Sequence, residues 1–70
     1  MKKFTVRFLE DGEENVLKVE GEVLRVLDEG DETGILKFTV DGRLHEERGV
    51  LLEVTRKVEA FGYSTEKRVY

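Results

Sequence analysis

His45 is the only histidine in this 70-residue chain. Its imidazole is the side chain best suited to proton transfer near neutral pH. General acid–base work also needs a partner within hydrogen-bond reach. The flanking Glu46 and Glu47 point to alternate faces if the stretch "RLHEER" is extended. His45 is therefore expected as an exposed strand histidine. Ser64 is the only serine, and "FGYSTE" is not the G-x-S-x-G setting of an activated nucleophile. The chain has no cysteine. Disulfides and thiolate metal sites are thus excluded, and covalent catalysis has few candidates.

Other groupings offer ligand chemistry. "DEGDET" supplies carboxylates from Asp28, Glu29, Asp31 and Glu32, as a calcium loop would. It lacks the alternating ligand spacing and the distal glutamate of such loops. A solvated turn is the better reading. Gly12, Gly21 and Gly30 lie too far apart for a phosphate-cradling G-x-G-x-x-G. Tyr63 and Tyr70, near Lys67 and Arg68, are the one combination of exposed aromatics and cations suited to stacking on single-stranded nucleic acid. The net charge of −4 opposes a phosphate backbone. Phe4, Phe8 and Phe38 fall on the apolar parity and belong to a core. Nucleic-acid binding is disfavoured, and the two tyrosines are expected to cover one end of the fold. No catalytic, cofactor-binding or metal residue is assigned, and an enzyme is not expected.

The background composition agrees with this. Charged residues make up 40% of the chain. The acidic ones crowd into "EDGEE" and "DEGDE", while lysines and arginines stand singly or in pairs between apolar residues. That pattern reads as polar loops and mixed-charge strand faces, not a binding stripe. No apolar run approaches a membrane span. "MKK" followed by "FTVRFL" is too short and too charged for a secretory h-region. The expectation is one soluble, cytoplasmic domain over residues 1–70, near the lower size limit for unaided folding. No partner or cofactor is expected. Leu9, Ile35 and Leu51 fall off the main apolar parity. They set the alternative to a monomer, a weak homodimer through an exposed patch.

The elements that must hold these residues are strands. Ten valines stand against one alanine, and valine favours strands while alanine favours helices. "KFTVRFL" (3–9) alternates, with Phe4, Val6 and Phe8 on one face. The long stretch 15–29, "NVLKVEGEVLRVLDE", is helix-compatible by spacing alone. Its β-branched residues and mid-segment Gly21 oppose a helix. Its apolar parity shifts just after the glycine, as at a bulge or bend. "ILKFTV" (35–40) alternates again, and Asp41-Gly42 is a hairpin signal. A second long segment (43–59) is interrupted by Gly49. Its first half is polar and edge-like, and Val50, Leu52 and Val54 share a face beyond the glycine. Residues 60–63 make a turn, and "STEKRVY" closes the chain.

Five strands, two of them long and glycine-interrupted, suit a small OB- or SH3-like β-barrel, closed or partly open. Bent strands let each long segment serve both halves of a curved sheet. Gly12, Gly21, Gly30, Gly42, Gly49 and Gly62 are the bend and turn positions. The expected core is Phe4, Val6, Phe8, Leu17, Val19, Val26, Leu36, Phe38, Val40, Val50, Leu52, Val54 and Val58, with Phe61 and Val69 as further candidates.

The interleaved charges, the turns "EDGEEN", "DEGDETG" and "VDGR", the glycines at bends and the lack of Cys, Pro, Trp and Gln resemble a de novo designed, idealised small β-barrel. The resemblance is one of pattern over the whole chain. It implies a structural scaffold without an evolved activity. A local resemblance points elsewhere. "RGVLLEVTRKVEAFGYS" (48–64) is similar to the glycine-loop-plus-helix segment of ACT-type regulatory domains, which bind amino acids. Gly49, Val50 and Leu51 match its start, and Gly62 stands where the helix would end. That implies the alternative fold, an α+β βαββαβ arrangement with helices over 14–28 and 49–61. The alternative function is then a small binding module, either an amino-acid sensor or an oligonucleotide-binding barrel.

Overall fold

Period-two alternation and abundant valine produce strands throughout. The computed structural model describes residues 1–70. It contains β1 (Lys2–Glu10), β2 (Glu13–Gly21), β3 (Leu24–Asp28), β4 (Ile35–Val40), β5 (Arg43–Arg48), β6 (Val50–Ala60) and β7 (Tyr63–Arg68), and no helix. The protein is all-β. The βαββαβ alternative is corrected: segments 14–28 and 49–61 are extended. Their β-branched residues and the glycine in the first outweigh a helix-compatible spacing.

The expected five strands become seven because each long segment breaks at its glycine. β2 ends at Gly21 and β3 resumes at Leu24; only Gly49 separates β5 from β6. The strands form two antiparallel sheets, ordered β2-β1-β6-β7 and β3-β4-β5. Each interrupted segment thus crosses between sheets, the first at Gly21 to Val23 and the second at Gly49.

The core lies between the sheets. Phe4, Val6, Phe8, Leu51 and Val54 come from the first, and Leu36, Phe38 and Val40 from the second. Leu17, Val19, Leu24 and Val26 pack around them half-buried. Each fully buried side chain of this kind contributes roughly 1.5–3 kcal/mol. A core of eight residues is what a chain of this size can close.

Three expected core positions are corrected. Leu52 is 44% exposed, and Leu51, expected outside, is buried at 8%. The cause is a β-bulge. Arg7 pairs with Glu53 but Phe8 pairs with Leu51, leaving Leu52 without a partner. The extra residue inverts the parity of everything before it. Phe61 is 100% exposed. It is the first residue of a turn and has φ 51°, followed by Gly62 at 81°. Positive φ at both central residues is what a type I′ hairpin needs, and the Asp11-Gly12 and Asp41-Gly42 turns share it. Val69 is 47% exposed because it follows the end of β7. Val50 and Val58 are only half-buried. β6 pairs with β1 no further than Arg56, but with β7 as far as Ala60. The end of this hairpin is therefore a two-stranded ribbon beyond the core, and Val58 lies in it.

Candidate functional site

The most heavily engaged polar side chain stands at the first crossing point. The Asp41 carboxylate accepts the Glu22 amide through Oδ1 at 3.0 Å and through Oδ2 at 3.1 Å. The Val23 amide donates to Oδ1 at 2.9 Å. The Asp41 amide returns a bond to the Val23 carbonyl at 2.9 Å. A break between strands frees backbone donors, and this carboxylate satisfies two of them. Gly21 makes room for it. A Cβ on Gly21 would stand 2.7 Å from Asp41 Oδ2 and would run into Val40 Cγ1. The φ of Gly21 is not positive, so steric approach and not backbone freedom requires glycine here.

The second crossing point needs glycine for both reasons. Gly49 has φ 136°, and a Cβ there would collide with the Leu9 carbonyl oxygen and lie 3.2 Å from Phe8 Cδ2. Its amide donates to the Gly34 carbonyl at 2.8 Å. Two residues on, the Leu51 amide donates to the Glu29 carbonyl at 2.8 Å. That bond ties β6, of the first sheet, to the segment that follows β3 of the second. Gly30 packs so close to the Gly49 carbonyl that a Cβ would overlap it. Of the six glycines expected at bends and turns, Gly12, Gly42 and Gly62 complete the hairpins. Gly21, Gly30 and Gly49 hold the junctions between sheets. Gly34, φ 74°, is a further turn residue that sequence reading missed.

The chemistry-bearing residues are dispersed. His45 lies half-buried on β5, where full exposure was expected. It pairs across strands with Phe38, and the two rings stack at 4.9 Å and 4°. Its ring extends the core, which is why it is covered. Asp28 is taken up by its own loop: Oδ1 accepts the Gly30 amide at 2.8 Å. No group of three or more metal-capable side chains converges anywhere. Ser64 is exposed opposite Glu59 in the projecting ribbon. Tyr63 begins β7 and Tyr70 lies beyond its end, about 20 Å apart in an extended chain. They do not make one stacking patch. Partial desolvation pushes the Tyr70 phenol above its usual pKa, aided by the nearby Glu29 carboxylate and by the charge of Asp31. Tyr70 is still 45% exposed, so solvent screens this effect. Of the expected dimer patch, Leu9 and Ile35 are each 39% exposed. Leu51 is withdrawn into the core by the bulge.

The Asp41 clamp was not found by sequence reading. Asp41-Gly42 signalled a hairpin, and nothing linked it to Glu22, 19 residues earlier. The fold and these junctions define a small all-β chain whose two sheets exchange strands at glycine corners. No family model, curated protein or solved structure matches the chain.

Proposed function

We propose that this chain is a structural scaffold of designed character: a small, partly open β-barrel built to fold alone. The observation that carries the reading is the first corner, where Gly21, Asp41 and the Glu22–Val23 amides fit one another and serve only the chain's path. The strand pairing supports the barrel. β2, β1 and β6 lie side by side, the Leu51–Glu29 bond leads from β6 to the end of β3, and β4 and β5 follow. On this reading the gap falls between β2 and β5. The Asp11-Gly12 and Asp41-Gly42 type I′ turns, the alternation of β1 and β4 and the absence of Pro and Cys are what an idealised backbone calls for.

A scaffold of this kind folds without ligand, metal or partner. The test is denaturant unfolding of metal-free protein over a hundredfold range of concentration. One cooperative, reversible transition with a constant midpoint is expected. A midpoint that rises with concentration, or a state that binds hydrophobic dye before unfolding, would overturn the reading.

A further inference from the structure

One end of the molecule has an unusual surface. A groove of ≈ 280 Å³ opens between the first sheet and β3. Its apolar wall is formed by Phe4, Leu24, Val26, Val69 and Tyr70, and Arg56 lies among them. Arg56 pairs across strands with buried Phe4 on one side and with Lys67 on the other. Cross-strand partners project to the same face, so Arg56 and Lys67 share the inner face with Phe4. Lys2, two residues before Phe4, projects there as well.

These three cations lack compensation. The ion pairs of the protein are Met1–Glu22, Arg7–Glu14, Arg7–Glu53 and Lys57–Glu59, and none involves Lys2, Arg56 or Lys67. The Arg56 Nε is buried without a hydrogen-bond partner. Like charges directly opposite one another destabilise a sheet, and a buried donor left unpaired costs free energy. Both costs stand out in a chain with net charge −4, which has acids to spare. Glu22, the one acidic side chain on the groove, lies 3.6 Å from the Met1 amino group, and the main-chain oxygen of Tyr70 accepts the Val54 amide at 3.1 Å and Arg68 Nε at 3.0 Å.

We propose that this groove binds a small hydrophobic carboxylate, its tail on the apolar wall and its carboxylate on Arg56. An arginine presents several N–H donors in a fixed fork that matches a carboxylate. The volume lies just under the range of about 300–1,000 Å³ usual for small-molecule pockets, which selects a short aliphatic or aryl-alkyl acid. This goes beyond the scaffold reading and does not depend on it. A protein that fails to fold alone would fail the unfolding test. The present test is made on folded protein.

The probe is octanoate, followed by amide shifts in two-dimensional NMR, with octanol and acetate as controls. Saturable shifts at Leu24, Val26 and Val69 are expected, with octanoate at least tenfold tighter than either control. Arg56→Met should remove that preference and leave octanol binding in place. Lys2→Gln, at the second cation lining the groove, should weaken octanoate severalfold should the Arg56 variant not fold. Equal affinity for octanoate and octanol, or shifts confined to other surfaces, would overturn the proposal. So would shifts at the same amides on simple self-dilution, which would assign the groove to a second copy of the chain.

Discussion

Replacing Gly21 with alanine separates two roles for this residue, because they predict opposite signs. At a hinge with free space, the added methyl would restrict the unfolded chain and raise stability by about 0.4–1 kcal/mol. The geometry of the corner gives a loss. The new Cβ would meet Val40 Cγ1 and stand 2.7 Å from Asp41 Oδ2. Val40 is only 5% exposed and belongs to the core. Asp41 is held in place by the Glu22 and Val23 amides. Val40 has no room to retreat, and the exposed Asp41 can do so only by giving up its bonds to the two amides; overpacking of this kind costs about 1–3 kcal/mol. Setting the entropic gain against it leaves a net loss of roughly 1–2 kcal/mol. In a domain of this size, each kcal/mol moves the melting temperature by about 4–8 °C, so a fall of roughly 4–16 °C is expected. Thermal and urea unfolding followed by circular dichroism would measure it. Val40→Ala removes the atom that the methyl meets. The double variant should therefore lose less than the sum of the two singles, by about 1 kcal/mol, within the range for contacting residues. A Gly21→Ala protein as stable as its parent, or strict additivity in the double variant, would refute the close-approach account.

Other substitutions test other parts of the structure. Leu51→Ala should cost about 2–4 kcal/mol as a core truncation, and Leu52→Ala less than about 1 kcal/mol; the reverse order in denaturant melts would place the bulge elsewhere. Phe61→Asn should raise the melting temperature, because asparagine tolerates the positive φ that phenylalanine adopts there at a cost. A lower melting temperature would mean that Phe61 makes contacts the structure does not show. Tyr70 has a raised pKa in the fold, so its contribution to stability is present below the unfolded phenol's pKa and fades as pH rises through the folded value. In a Tyr63→Phe background, Glu29→Gln should lower the phenolate midpoint read by ultraviolet absorbance. An unmoved midpoint would exclude the Glu29 contact.

Much of this architecture could be read from residue pattern, and the errors have a common origin. Alternation placed Phe4, Val6 and Phe8 in the core, as it did Leu36, Phe38 and Val40, because unbroken strands keep their parity. Gly21 and Gly49 marked the breaks, since a phase shift beside a glycine has few other causes. The same method failed at Leu51 and Leu52. A bulge adds one residue without changing composition, so counting by twos carried the wrong parity across it. The apolarity of Phe61 points to the core while its neighbour Gly62 points to a turn, and the turn prevails. The charged neighbours of His45 along the chain point to an exposed residue, whereas its environment is set by Phe38 on the adjacent strand. The Asp41 clamp and the uncompensated cations at the groove depend on cross-strand neighbours far apart in sequence, which no local pattern reveals.

Two long segments turn glycine corners, and the two sheets they link should form one cooperative unit. The Leu51 amide reports on this directly, because its bond to the Glu29 carbonyl joins strand β6 of the first sheet to the end of β3 in the second. Native-state hydrogen exchange should find it opening only with the whole molecule, at the same free energy as amides in the central strands β1 and β4. A Leu51 amide that exchanges through a local opening, several kcal/mol below the global value, would show two sheets that separate on their own.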